Sequence, residues 1–314
     1  MNVAQLLKSS KYVVLNPKEK RQKLKKKRNL YKKDGKSLVS IEKCPYEIGK
    51  RDLKRKIKEC VDHLGGFEKA IKPGDEVFIK PNLNSDDPFP ASTDPMFARC
   101  VVELCYEAGA KDVFVADMSG VHWLPTQKAL DLGLQKECEQ AGAKVFALEN
   151  KDWVEIELNA PHWKKAVLTK ELYKKRKLIY MPCLKTHCRT EFTMSLKLSM
   201  GLINLGDRLI NFHRKNHKYI HENIGYLNTL MWPDLIILDG RKAFRCEGPS
   251  KGEVVEPNVI MASGDRVAMD VEALKILYKF KAENILKDPW EMEQIKFAVE
   301  AGVGIESDNE IEVV

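Results

Sequence analysis

No apolar run in this 314-residue chain approaches the roughly 20 residues that a membrane-spanning helix needs. No GxxxxGK(S/T) or GxGxxG follows any apolar segment, which argues against a standard nucleotide-phosphate site. The eight cysteines, at 44, 60, 100, 105, 138, 183, 188 and 246, never form a CxxC pair. That spacing excludes a zinc ribbon, a ferredoxin cluster and a thioredoxin-type dithiol. Scattered free thiols are the expectation, with Cys183 and Cys188 the two placed to act as soft metal ligands. The opening MNVAQLLKSSKYVVLNP lacks a continuous apolar core and a small-residue cleavage site, so no signal peptide is read and a cytoplasmic location is expected.

Net charge is nearly absent from most of the chain as well. The net charge is +8, yet segment 18–33, KEKRQKLKKKRNLYKK, holds ten Lys/Arg against one acid, leaving the other 298 residues near −1. Residues 1–34 therefore read as a basic N-terminal arm, a solvated helix or a disordered extension, ahead of a globular domain over 35–314. Its candidate partners are RNA and an anionic membrane surface, with a solubilising role as the plain alternative. Tyr31 is the only aromatic of segment 18–33, so stacking on bases has little support.

From residue 36 onward, short apolar runs alternate with helical stretches. KSLVSIEK, DEVFIKP, DVFVAD, KVFALE, KLIYMPC, DLIILDG and NVIMAS read as strands, several nearly continuous in apolar residues, as strands covered on both faces should be. Helices are expected near 50–69, 94–109, 124–141, 209–230, 265–280 and 290–301. The pattern predicts an α/β fold with a mainly parallel sheet and helices on both faces, in Rossmann-like layers. Segment 153–169 alternates instead and predicts a small antiparallel hairpin or edge.

Polar residues at strand ends are the chain's least economical feature, because a simple connection uses Gly, Asn, Asp or Pro. Ligands in open parallel sheets gather beyond the carboxyl ends of the strands. Lys80 and Asn82 leave DEVFIKP there, and Lys80 is either an anion contact or half of a structural ion pair. DVFVAD ends in Asp117-Met118-Ser119-Gly120, which serves equally as a ligand contact or a turn. After KLIYMPC come Lys185 and His187, two apart and so on one side of extended backbone. Lys197 follows Thr193 at helical spacing. His213, His217 and His221 recur every fourth residue, which on a helix is one face able to share a metal; a solvated stripe is the plainer reading for the last two. Glu247, in the Gly/Pro-rich loop EGPSKG, is a candidate general base or metal ligand. Thr93 or Asp94, and Asp265, sit where helix caps belong, and Asp270 is read as facing solvent.

Taken in order, IKPNL, AGAKDVFVADMSG, PCLKTH, SLKLSMG, ILDG, CEGPSKG and SGDRVAMD resemble the domain-of-unknown-function-362 family over about residues 40–305. Some members of that family add an iron–sulfur domain, which the cysteine spacing here excludes. Leu198 stands where the family usually has asparagine. The order Lys197, Gly201, His213 also resembles the cofactor region of nickel-pincer lactate racemases. That likeness implies Lys197 as cofactor anchor, His213 as a nickel ligand with His217 beside it, and His187 as a proton-transfer base. No Gly-Gly precedes Lys197, and Lys80-Pro81-Asn82-Leu83 replaces those enzymes' Asp-x-Thr-Arg, so changed chemistry is expected. The resulting expectation is an enzyme, isomerase- or oxidoreductase-like, for a small carboxylate or phosphate. Its catalytic candidates are Lys185, His187 and Glu247, its ligand or cofactor contacts Lys80, Asn82 and Lys197, and its cofactor a candidate divalent transition metal or lysine-tethered group. The alternative is a non-catalytic anion- or nucleotide-binding module whose basic arm contacts nucleic acid.

Overall fold

The computed structural model describes residues 10–13, 17, 19–120, 122, 124–213, 217–286 and 288–314. The seven apolar runs fold as strands Lys36–Lys43, Glu76–Lys80, Asp112–Asp117, Lys144–Ala147, Arg176–Tyr180, Leu235–Phe244 and Val259–Ser263. With Ile311–Val313 they lie in one sheet, in the spatial order 311, 36, 259, 235, 176, 76, 112, 144 by first residue. The five strands from Leu235–Phe244 to Lys144–Ala147 are mutually parallel. Val259–Ser263 and Lys36–Lys43 extend the sheet in antiparallel fashion.

Alternate side chains of the parallel strands enter opposite layers, as the period-2 pleat requires. Val77, Ile79, Val113 and Val115 pack with Leu53 and Ile57 of helix Lys50–Asp62 and with Phe97 and Val101 of helix Pro95–Glu107. Phe78, Leu178, Ile236 and Leu238 face the other way, onto Ile224, Val271, Leu274 and Ile295 from helices Ile220–Leu227, Arg266–Lys279 and Glu293–Glu300. The protein is therefore α/β with helices on both faces, and double coverage is why the strands read as almost unbroken apolar runs. Asp94 caps Pro95–Glu107 by accepting from Phe97 N at 2.7 Å, and Asp265 caps Arg266–Lys279 through Val267 N and Ala268 N.

The alternating segment makes the expected hairpin, Trp153–Glu157 against Lys165–Thr169. Its free edge is taken by Lys20–Arg21, which corrects the helical or detached reading of the basic arm for residues 19–33. They run as an extended strap. Lys27 pairs with Asp234 at 2.5 Å, Lys23 and Lys26 donate to the Leu158 and Gly302 carbonyls at 2.8 Å, and Tyr31 is fully buried. One buried aromatic and an open strand edge anchor a segment whose composition alone favours solvation.

Three further departures have local causes. The helix expected over 124–141 divides into Gln127–Leu130 and Leu134–Gln140, because Gly133 takes φ 111, a left-handed conformation that suits glycine. The one expected over 209–230 is interrupted too: Leu209–His213 is a π-turn, His217–Tyr219 a 3-10 turn, and only Ile220–Leu227 is regular α-helix. Cys183–His187 is a strand in its own right beyond Pro182, parallel to Leu235–Phe244 and turning back through Glu191–Thr193. All eight cysteines are free.

The strand order also locates the switch point. From Glu76–Lys80 the chain winds outward to Asp112–Asp117 and Lys144–Ala147, then returns to place Arg176–Tyr180 on the other side of Glu76–Lys80. The crevice at such a reversal is where open α/β sheets hold ligands.

Candidate functional site

A cavity of about 240 Å³ opens at that switch point. Its wall includes Lys80, Asn82, Lys185, His187, Lys197 and His213, so six sequence-predicted site residues converge on one space. Four basic or titratable neighbours join them: Arg189, Arg208, His122 and Cys188. Asp117 is the single carboxylate among the described residues of the wall.

That carboxylate is already engaged. Lys80 Nζ lies 2.7 Å from Asp117 Oδ1 and donates to the Pro81 carbonyl at 2.6 Å, while Asp117 accepts from Leu83 N and Met118 N at 2.8 and 2.6 Å. Both side chains are buried. Gly201 lies against them, and a Cβ there would collide with the Asp117 carboxylate and the end of Lys80. Of the two readings open for Lys80, the geometry is that of a structural ion pair, and removing one partner of such a pair typically costs about 3–5 kcal/mol. Arg208 is likewise occupied, donating to the carbonyls of Met118, Ser119 and Ile203 at 2.8, 2.9 and 3.3 Å. These are neutral acceptors, so Asp117 and Glu149 act on its charge without forming an ion pair with it among the described residues.

Lys185 and Lys197 differ from Lys80. Lys185 is fully buried in its strand and donates only to the Ala91 carbonyl. Lys197, in the short helix Ser195–Leu198, is partly buried and has no hydrogen-bond or ion-pair partner among the described residues. Desolvation lowers the Lys185 amine to about 8. Desolvation first, then the charges of Lys185 and Arg208, lower Lys197 to about 7. His187 accepts Arg189 N–H at Nδ1, 3.1 Å away, which puts the proton of the neutral ring on Nε2. Burial, followed by the Lys197 and Lys185 charges, holds its pKa well below the usual imidazole range. His213 is an exposed residue, and desolvation on its cavity side, then Lys197 and Arg189, lower it to about 4.

Asp270 corrects the sequence reading. It is fully buried rather than solvent-facing, and it accepts from Ser195 N and Leu196 N, each at 2.9 Å, and from Ser195 Oγ. It thereby fixes the start of the turn that carries Lys197. The signal was present, since RVAMDVEAL surrounds this Asp with apolar residues. Arg208 was also missed, and nothing in LINLGDRLI marks it.

Two residues named from sequence stand apart. Glu247 is exposed at φ 55 on its loop, while the following Gly248 presses on Thr186 O and Pro249 and Ser250 reach the cavity. The side chain of His217 lies outside the described residues. His221 turns toward Glu191 and Glu293, at 3.7 and 3.6 Å.

The residues present do not fit a divalent metal. Among those described, no three His, Cys, Asp or Glu side chains come together to hold an ion. Five basic groups around one engaged carboxylate also repel a cation. The same wall attracts an anion.

Comparison with known proteins places the chain in a family. The model of the family described as Domain of unknown function (DUF362) matches residues 77–275, a span that contains every residue named in the cavity wall. The Thylakoid-associated protein sll1697 of Synechocystis sp. is 28% identical over 258 residues, covering 77% of this chain and 74% of its own length. Among the described residues no helix is long and apolar enough to cross a membrane. With its resemblance motifs, its switch-point cavity and the matched span coinciding, the chain belongs to the DUF362 family.

Proposed function

We propose that the cavity binds a small anion, a carboxylate or a phosphate, and acts on it as an enzyme. One observation carries the reading: Lys185, Lys197 and Arg208 meet in a small cavity whose one carboxylate, Asp117, is paired with Lys80, and none of the three has an ion pair among the described residues. Burying uncompensated charge is costly, and an anionic ligand would offset that cost. Lys185 and Arg189 are the anion contacts, Asn82 offers an amide free of partners among the described residues, and His187 is a neutral ring whose Nε2–H can donate to the ligand. Lys80 and Asp117 hold the floor, and Asp270 positions Lys197.

Equilibrium dialysis with inorganic phosphate and with acetate tests the binding step. Lys185→Met should weaken the preferred anion about tenfold or more, the usual worth of one charge-assisted contact. Unchanged affinity in that variant would remove the cavity from the account.

A second reading rests on a different surface. Lys25, Arg28 and Lys32 are exposed on the strap and have no carboxylate partner among the described residues, while Tyr31 is buried and unable to stack on a base. A basic strap without an exposed aromatic suits an anionic lipid surface better than single-stranded RNA, and the relative's printed name is in keeping with a membrane surface. Cosedimentation with vesicles containing anionic lipid, lost when Lys25, Arg28 and Lys32 become Glu, would favour that non-catalytic role.

A further inference from the structure

We infer that Lys197 is a nucleophile that condenses with the carbonyl group of a 2-oxo acid or an oxo-phosphate held in this cavity, forming a Schiff base. The inference deepens the anion-binding reading and rests on it. It requires an amine facing the cavity without a partner, a second cation to hold the ligand's anionic end, and a hydrogen-bond donor nearby for the carbonyl oxygen. Lys197 lines the cavity and has neither an acceptor nor a counter-ion among the described residues. Lys185, two residues from His187 on the adjoining strand, is occupied on one side only, by the Ala91 carbonyl. His187 and His213 lie close enough that the Lys197 charge is the largest electrostatic influence on either ring.

A lysine near a second cation in a desolvated site is the recognised arrangement for an amine that is neutral at physiological pH. Here Lys185 supplies that second charge, and the amine sits near 7. Asp270, through Ser195 N and Leu196 N, keeps the turn in place so that the amine does not swing to solvent.

The chemistry balances without an oxidant or reductant. The nitrogen lone pair attacks the carbonyl carbon, and the carbonyl oxygen takes a proton to give a carbinolamine. Solvent supplies that proton, takes one from nitrogen and returns it to the departing hydroxyl, while the Nε2–H of His187 can hydrogen-bond to the oxygen. Water leaves as the C=N bond forms, and an iminium that keeps one further proton acidifies the C–H bond beside it. The lack of a fit for a divalent metal leaves this lysine available for such chemistry.

The test incubates the full chain with pyruvate, glyoxylate or dihydroxyacetone phosphate and sodium cyanoborohydride near neutral pH, followed by intact mass and peptide mapping. The expected result is one reduced adduct, on Lys197. It should form about a hundredfold or more faster than on any exposed lysine, as the fractions of neutral amine dictate, and excess inorganic phosphate should suppress it. Lys197→Ala should abolish it, and mapping of the wild type with phosphate protection decides the matter even if that variant fails to fold. Adducts spread over surface lysines, or none with all three compounds, would overturn the inference. Phosphate binding measured by dialysis on the same preparation separates the outcomes: binding without an adduct removes the Schiff base alone, whereas neither removes the anion site as well.

Discussion

Two buried cation sites lie at the same end of the sheet, and they are built differently. Arg241 is fully buried, with Asp239 Oδ2 at 2.6 Å and Oδ1 at 2.9 Å, Asp94 at 3.5 Å, and the rings of Tyr46, Phe89 and Phe97 between 5.3 and 5.5 Å from its guanidinium. Every charge there has its complement, as structural burial requires. On the adjoining strand Lys185, and beyond it Lys197, have one carbonyl between them and no ion-pairing carboxylate among the described residues. Their amines are lowered by burial, whereas the carboxylates raise Arg241. A saturated cation is accounted for by the fold; the unsaturated pair in the cavity is where the proposed anion would bind. Lys80, paired with Asp117 beneath the cavity, falls on the structural side.

The largest effect should come from breaking the saturated cluster. Arg241→Ala leaves the Asp239 carboxylate buried and alone, so chemical denaturation should reveal a loss of about 3–5 kcal/mol. Lys197→Met is the counterpart. It removes an unpaired amine and should leave stability unchanged or raised while eliminating the adduct, and an equal loss in both variants would erase the distinction.

Asp270→Ala comes next. It leaves the Ser195 and Leu196 backbone N–H groups without their acceptor, at about 1–3 kcal/mol for each buried group left unsatisfied, while the Ser195 hydroxyl keeps the Arg266 carbonyl at 3.0 Å. A merely structural Asp270 would cost stability and no more. As a positioning residue it should also slow adduct formation at Lys197 in the fraction that remains folded.

A smaller effect is expected from pH. The Lys197 amine is lowered from 10.5 to about 7 and Lys185 from 10.5 to about 8. Below 7 both states are protonated and the burial penalty is complete. Between the folded values and 10.5 the unfolded chain binds more protons than the folded one, so stability contributed by these groups should rise with pH across that window. Denaturation curves should show the rise in the wild type and a reduced one in Lys197→Met. The strap should respond least: Lys25→Glu and Arg28→Glu, exposed and without carboxylate partners among the described residues, should stay within about 0.5 kcal/mol of wild type.

Much of this was legible in the sequence, for physical reasons. Strands covered on both faces announce themselves as apolar runs, and the parallel core follows from their alternation with helices. Lys185, His187 and Lys197 stand out because turns do not require them. What stayed hidden depends on long-range partners. Asp270 acquires its role from Ser195, 75 residues away, and the strap acquires order from a hairpin edge and from the burial of Tyr31. The histidine periodicity suggested one helical face, but the π-turn at Leu209–His213 interrupts the helix, and His213 lines the cavity whereas His221 turns toward Glu191 and Glu293. Glu247 was singled out for its constrained loop, whose close contact with the cavity strand is made by Gly248.

The central claim is that the uncompensated lysines exist to receive an anion, and calorimetry of phosphate binding in two buffers of different ionisation enthalpy, near neutral pH, tests it most directly. An anion that settles on amines lowered to about 7 and 8 must draw protons onto them. The account therefore requires net proton uptake on binding, diminished in Lys185→Met and in Lys197→Met. Binding without proton uptake, or uptake that both variants retain in full, would contradict it.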